Sequence, residues 1–200
     1  MPTLIGEIRR LQVQRSPLKM GEKPNRTYVT APLLAVPALR ASADGVTGLT
    51  ADGEILDVHH RGHPESRNDG GANGISIGFT AHYDAMRSRY GPHMTLGCAG
   101  ENVIVESGRP IGIDAAAEGF VVRAGDGRVK CRLGSVTIAR PCKPFSGYAL
   151  GGMRVDSATL KATLQFLDGG TRGFYCGIVP MPGAAAEVIL APGDLVELAG

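Results

Sequence analysis

The chain is 200 residues long, 43% apolar and 20% charged, and its 21 Lys+Arg nearly balance 19 Asp+Glu to leave a net charge of +2. This composition excludes disordered and fibrous classes, and the charge lacks the concentrated basic footprint of a protein that wraps nucleic acid. The length predicts a single domain over residues 1–200 with a core that needs no staples.

In chain order, strands are predicted over residues 5–13, 29–36, 55–59, 75–79, 103–106, 119–124, 129–133, 136–139, 174–179, 187–190 and 195–198. Gly (29) and Pro (13) are spread at short intervals between these runs, which is the pattern of short strands joined by tight turns. Only two segments read as helices. The first, residues 80–90, starts on Thr80 as N-cap, lines up Tyr83, Met86 and Tyr90, and stops at Gly91-Pro92. The second is capped by Asp156-Ser157, carries Leu160, Leu164 and Leu167 on one face, and ends at Gly169-Gly170. Ala191-Pro192-Gly193-Asp194 has the residues of a type II turn and predicts a hairpin between the last two strands. Many strands with two helices predict an all-β barrel with helical decoration.

The opening residues MPTLIGEIRRLQVQR lack the charged start, apolar core and cleavage site of a secretory leader, and no run is long and apolar enough to span a bilayer. A cytoplasmic protein with neither nucleic-acid nor membrane partner is therefore expected. The cysteines at 98, 131, 142 and 176 form no Cys-x-x-Cys pair, which argues against a zinc ribbon or a disulfide framework.

Arg140-Pro141-Cys142-Lys143-Pro144 follows an apolar strand, with two prolines stiffening the backbone around the thiol. Arg140 and Lys143 favour a thiolate, which is the form that acts as nucleophile, persulfide carrier or metal ligand. A buried structural cysteine is the competing reading. Cys131 and Cys176 lie in apolar strands and read as core. Asp57-Val58-His59-His60-Arg61-Gly62-His63 places three imidazoles within five residues, suited to ligation or proton transfer or simply to a polar loop. Residues 60–74 form the longest polar stretch; within it His63, Ser66, Arg67 and Asn68 are groups that hold phosphate. Gly100-Glu101-Asn102 puts a carboxyl and an amide at the mouth of a strand, able to orient a ligand or to hold a loop.

Taken in order, these motifs resemble the MOSC family, named for the C-terminal domain of molybdenum cofactor sulfurase. The resemblance runs from Ile5-Gly6-Glu7-Ile8 through Asp57–His60, Gly100-Glu101-Asn102-Val103, Ile111-Gly112-Ile113-Asp114, Arg140-Pro141-Cys142 and Gly173-Phe174-Tyr175 to Pro192-Gly193-Asp194. It implies a MOSC-type β-barrel, similar to the barrel domain of pyruvate kinase, with a few short helices. It implies that Cys142 carries sulfur or ligates molybdenum, with Glu101 and one of His59, His60 or His63 close by. Arg67, Ser66, Asn68, Asn102, Arg140, Lys143 and His63 are then the expected contacts of a molybdopterin cofactor. Stand-alone bacterial members look like reductases of N-hydroxylated compounds, and the family is also associated with pyridoxal phosphate binding. The alternative is a carrier that takes a Cys142 persulfide from a cysteine desulfurase partner, without turnover of its own. Here Asp57-Val58-His59-His60 runs on into Arg61-Gly62-His63 where family members resembling the reductases have two glycines.

Overall fold

The computed structural model describes residues 3–68, 70–181 and 186–200. The first half of the chain forms β1 (Thr3–Gln14), β2 (Lys19–Met20), β3 (Thr27–Tyr28), β4 (Leu33–Ala35), β5 (Ala38–Ser42), β6 (Gly45–Thr50), β7 (Gly53–Leu56), β8 (Ile75–Phe79) and α1 (Thr80–Tyr90). The second half adds β9 (Val103–Val105), α2 (Ile113–Ala116), β10 (Phe120–Arg123), β11 (Val129–Ile138), α3 (Lys143–Ala149), α4 (Ser157–Leu167), β12 (Phe174–Val179), β13 (Glu187–Leu190) and β14 (Leu195–Leu198).

Seven strands close into a barrel in the order β1, β14, β10, β11, β12, β8, β9 and back to β1. All of these neighbours are antiparallel except β8 and β9, which run parallel and are joined through α1. Closure depends on the length of β1. Its first half pairs with β14, its middle with β9 and its end with β4, and register shifts after Leu4 and Ile8 bend it around the ring. A second antiparallel sheet, β13-β5-β6-β7, packs beside the barrel, and β2 with β3 makes a small separate hairpin.

The strands alternate as a half-buried pleat requires. Leu11 and Val13 of β1 face the barrel interior with Ile77, Phe79, Phe120 and Phe174. Gln12 and Gln14 are buried on the opposite face, and their amides donate to the carbonyls of Gly97 (2.8 Å) and Gly100 (2.7 Å). They hold the turn that precedes Glu101. A smaller core lies outside the barrel, where Leu18, Tyr28, Tyr83, Met86 and Phe145 gather from the hairpin, α1 and α3.

The predicted elements differ from this arrangement in informative places. The strands expected over 129–133 and 136–139 form one strand, Val129–Ile138, because Ser135 adopts φ 53° in a bulge and pairing with β12 resumes beyond it. The turn at Ala191–Asp194 forms, but β13 and β14 do not pair with each other: they belong to different sheets. Ile8 accepts from Gly193 (2.9 Å) and donates to Asp194 (2.8 Å), and Lys130 binds the Asp194 carboxylate at 2.7 Å, so the turn is tied to the barrel. The strand expected over 29–36 shrinks to β4, since Thr30–Leu33 make a turn, and the strand expected over 55–59 stops at Leu56. β5 and β6 were not among the expected strands, because Ala, Ser, Gly and Thr give little hydrophobic contrast. α1 and α4 lie where expected, with Asp156 capping α4 through Thr159 N–H (2.7 Å), but α1 has no side-chain cap: Thr80 Oγ instead binds Ser107. α2 and α3 are additional short helices.

Candidate functional site

A pocket of about 290 Å³ opens beside the end of β1, lined by Gln14, Pro17, Leu18, Lys19, Arg26, Tyr28, Val58, His59, Arg67, Asn73, Arg172 and Tyr175. Three parts of the chain meet there: the β2–β3 hairpin with Lys19, Arg26 and Tyr28; the loop after β7 with His59 and Arg67; and the entrance to β12 with Arg172 and Tyr175. The hairpin is rooted by Leu18 and Tyr28, which are buried in the smaller core, and the Tyr28 hydroxyl donates to the Cys98 carbonyl at 2.9 Å. Its exposed turn projects Lys19 and Arg26.

The loop is organised by Asp57, which is fully buried just beyond β7. Its carboxylate accepts from the amides of Gln14 (2.7 Å) and His59 (2.8 Å), from Asn102 Nδ2 (2.8 Å) and from His59 Nδ1 (3.0 Å). A carboxylate that only accepts leaves Nδ1 of His59 as the donor, so the ring's other nitrogen, Nε2, is the one free for a ligand. This distinguishes His59 from its neighbours. His60 Nδ1 accepts from Gly62 N–H at 3.0 Å, and His63 binds the Arg15 carbonyl at 3.1 Å; neither lines the pocket. Ser66 and Asn68 hold the loop together by donating to the carbonyls of His60 and His59, while Arg67 lies on the pocket wall. Asn102 is buried, bonded to Ser76 and Asp57, and serves the joint between β8, β9 and the loop.

Glu101 is buried and does not line the pocket. Its side chain occupies a slot walled by two glycines. A Cβ on Gly78 would stand 2.6 Å from Oε1; one on Gly173, whose φ is 92°, would meet the Ile77 carbonyl at 2.5 Å and Glu101 Cγ at 3.1 Å. Burial raises the carboxyl pKa, against the Tyr83 hydroxyl that donates to Oε2 and the nearby Arg172 charge.

Cys142 is the N-cap of α3 and the half-buried exception among four free thiols, the other three being buried. Burial pushes Cys98 and Cys131 up to about 12 and holds Cys176 well above the ordinary thiol range. The chain is extended through Cys142, then turns helical at Lys143 with Pro144 in the first turn. The side chains of Arg140 and Lys143 are exposed and lie outside the pocket lining. Cys142 is one of the groups within electrostatic reach of Arg172. Cys142 itself packs on the smaller core and not on the pocket wall.

Arg172, Lys19, Arg26 and Tyr28 were missed in the sequence. Arg172 immediately precedes Gly173-Phe174-Tyr175, and a lone charge at the foot of an apolar strand was the available signal. The hairpin residues carried none. Among the described residues no group of three or more His, Cys, Asp or Glu is placed to hold a metal ion, and no helix is long and apolar enough to cross a membrane.

No family model matches the chain, and no curated protein is similar to it. Among solved structures, the chain is similar to the YuaD protein from Bacillus subtilis, with a TM-score of 0.58 at 15% identity over 98% of this chain and 97% of that one. It is also similar to a crystal structure of a hypothetical protein, with a TM-score of 0.55 at 12% identity over 100% of this chain and 70% of the other. YiiM from Geobacillus stearothermophilus matches with a TM-score of 0.48 at 17% identity, over 96% and 74% of the two chains. What the first of these likenesses carries is the fold, a mostly β, MOSC-type closed barrel with four short helices.

Proposed function

We propose that this chain is a MOSC-family protein that binds a molybdenum cofactor (molybdopterin) at the basic pocket, with Cys142 as its sulfur ligand, and works as a cytoplasmic oxidoreductase on N-hydroxylated or similar small substrates. The observation that carries the reading is the sharing of one buried arginine: Arg172 lines the pocket and also lies within electrostatic reach of Cys142. The donor set suits the cofactor. A thiolate is the soft ligand such a metal takes, and Arg67, Arg172, Lys19 and Arg26 are charges for a phosphate. When bound, the cofactor supplies two-electron, oxygen-atom and N-hydroxyl chemistry.

The remaining work falls to side chains of the protein. His59, with Nδ1 held by Asp57, keeps Nε2 ready to accept or return a proton at the pocket wall. Glu101, pushed toward its protonated form by burial, lies within electrostatic reach of Arg172 and holds the Tyr83 hydroxyl. Tyr175, half-buried on the pocket wall, is placed to meet the organic part of a ligand, while Tyr28 lines the pocket from within the smaller core.

Protein purified from a molybdate-replete host should contain molybdenum and a fluorescent pterin in near-stoichiometric amount, and Cys142→Ala should lower the molybdenum. Absence of both metal and pterin, with no uptake on reconstitution, overturns the reading. One observation favours a second: Cys142 lies beside the pocket instead of in its wall and is the least buried of the thiols. That position suits a sulfur carrier loaded by a cysteine desulfurase. Intact-mass analysis after incubation with a desulfurase and cysteine should then reveal the gain of one sulfur, lost in Cys142→Ala.

A further inference from the structure

Around the barrel, several cations are answered by carboxylates: Arg40 by Glu54 and Glu187, Arg61 by Asp44, Arg87 by Asp84, Arg123 by Glu197 and Arg128 by Asp126. Lys23, Arg140, Lys143 and Arg154 are different. All four are exposed, and none makes an ion pair with a described residue. They lie on two segments poor in carboxylates: residues 140–155 contain none, and residues 19–28 contain Glu22 alone. The same segments carry three exposed large apolar side chains, Met153 (66% exposed), Met20 (52%) and Val155 (37%). None of these seven residues lines the pocket.

One helix brings the two segments together. Tyr28, opposite Lys19 in the hairpin, meets the rings of Phe145 (5.0 Å) and Tyr148 (5.4 Å) on α3. The chain that leaves α3 folds back on it, with Gly151 donating to Tyr148 at 2.9 Å and Gly152 to Gly147 at 2.8 Å, and residues 151–159 are all exposed. Arg140 and Lys143 flank Cys142 where the helix starts. The hairpin and the loop therefore both protrude beside α3, each with a bare methionine and basic residues next to it.

Apolar side chains left in water beside unanswered cations contribute nothing to the fold and mark an interaction surface. We infer that this face docks on an anionic lipid bilayer, with Met20, Met153 and Val155 entering the interfacial layer and Lys23, Arg140, Lys143 and Arg154 meeting its negative surface potential. Long basic side chains reach the headgroup level while the apolar tips lie deeper, and each cation brought to such a surface adds to the attraction. Apolar groups at the tips of turns suit a fluid layer, which asks for no matching shape, better than a protein surface, which does. A nucleic acid would want stacking rings, and Tyr28 and Phe145 are buried between hairpin and helix. The expectation of no membrane partner rested on the lack of an apolar span, which a surface-bound protein does not need. Cys142, at the start of α3, is carried close to the bilayer, but the inference does not depend on molybdenum.

Flotation of the full-length chain with lipid vesicles tests this, using phosphatidylcholine alone and phosphatidylcholine with about 30% phosphatidylglycerol. The chain should bind the anionic vesicles at least about tenfold more tightly, and should lose most of that binding between about 50 and 500 mM salt. Lys143→Gln with Arg154→Gln should weaken it about twentyfold, since each cation at the surface is worth about fivefold. Arg61→Gln with Arg128→Gln removes the same charge from paired positions and should leave affinity unchanged. The chain has no tryptophan, so Met153→Trp adds a single reporter, whose emission should shift to the blue with anionic vesicles and not with polyglutamate. All of these side chains are exposed, so the variants should fold as the parent does. Equal binding to the two kinds of vesicle, equal losses in the two double variants, or an unshifted tryptophan would overturn the inference. Tighter binding to polyglutamate or to a duplex oligonucleotide than to anionic vesicles would give the face to an acidic protein or a nucleic acid, and would overturn it too. Metal and pterin content bear on the cofactor reading alone, and vesicle binding on this inference alone.

Discussion

The barrel interior and the smaller core beside it are built to different rules. The interior is filled by Ile8, Leu11, Ile77, Phe79, Phe120 and Phe174, together with the thiols Cys131 and Cys176, which burial keeps neutral. The smaller core packs Tyr28, Tyr83, Cys98 and Phe145 against Glu101 and Arg172, so that titratable groups lie within it. The first region is arranged for stability and the second for holding charge in a defined place. A buried arginine and carboxyl contribute little net stability even when well bonded, since desolvation offsets their interactions.

The largest effect that tests this division is Phe79→Ala. Phe79 is fully buried and meets the rings of Phe120 and Phe174, so its loss should cost about 3–5 kcal/mol in denaturant unfolding. A loss near 1 kcal/mol would mean that the barrel interior is not the main source of stability.

His82 stands at the border of the two regions, edge-on to Phe79 and bonded to Ile111. Burial lowers its pKa from 6.5 to about 4, against the Ile111 hydrogen bond. The unfolded chain therefore binds a proton between these values and the folded chain does not, so stability is complete above pH 6.5 and declines as pH falls toward 4. The decline should approach about 3 kcal/mol. His82→Gln should flatten it in melts taken across that range, and an unchanged slope would assign the decline to other groups.

Within the smaller core the pH dependence should have the opposite sign. Glu101 has a raised pKa, so the folded state holds its proton longer than the unfolded state, and stability falls as pH rises above 4.5 toward the folded value. Glu101→Gln keeps an acceptor for Tyr83 and should remove this loss, appearing as a gain in melting temperature at alkaline pH that vanishes in acid.

The smallest expected change in stability is that of Arg172→Met, a loss of about 1 kcal/mol, because the two carbonyl hydrogen bonds it gives up are partly offset by the burial that opposed its charge. A large loss would place Arg172 with the residues that hold the fold together.

Much of the barrel was legible because its strands carry hydrophobic contrast. β8, β12, β13 and β14 lie where Ile, Val, Leu and Phe cluster between turn residues, and α1 follows its Tyr83 and Met86 spacing. Long-range pairing was not legible: nothing local in Ala191-Pro192-Gly193-Asp194 says that the strands on either side join different sheets. For the site, His59, Arg67, Glu101 and Cys142 were visible as chemistry-bearing residues in motifs. Their grouping was visible only in part. The choice among three histidines turns on Asp57, whose four hydrogen bonds are set by the path of the backbone, and Arg172 becomes notable only through its burial. A side chain's worth to a site depends on desolvation, which one-dimensional spacing does not carry.

The pairing of β1 with β14 also has a kinetic side. Thr3 lies opposite Leu198, so the ring cannot close until contacts form between residues nearly the whole chain apart. Closing a loop of that length costs about 4–5 kcal/mol of chain entropy before any pairing compensates for it. The seam between these strands should therefore be a late event in folding, and the barrel a slow folder for its size. Until the seam forms, β1 and β10 both present open edges that other chains can join. During synthesis the growing chain must leave those edges exposed until β14 emerges, which makes aggregation in that interval, more than stability once closed, the hazard this topology has to survive.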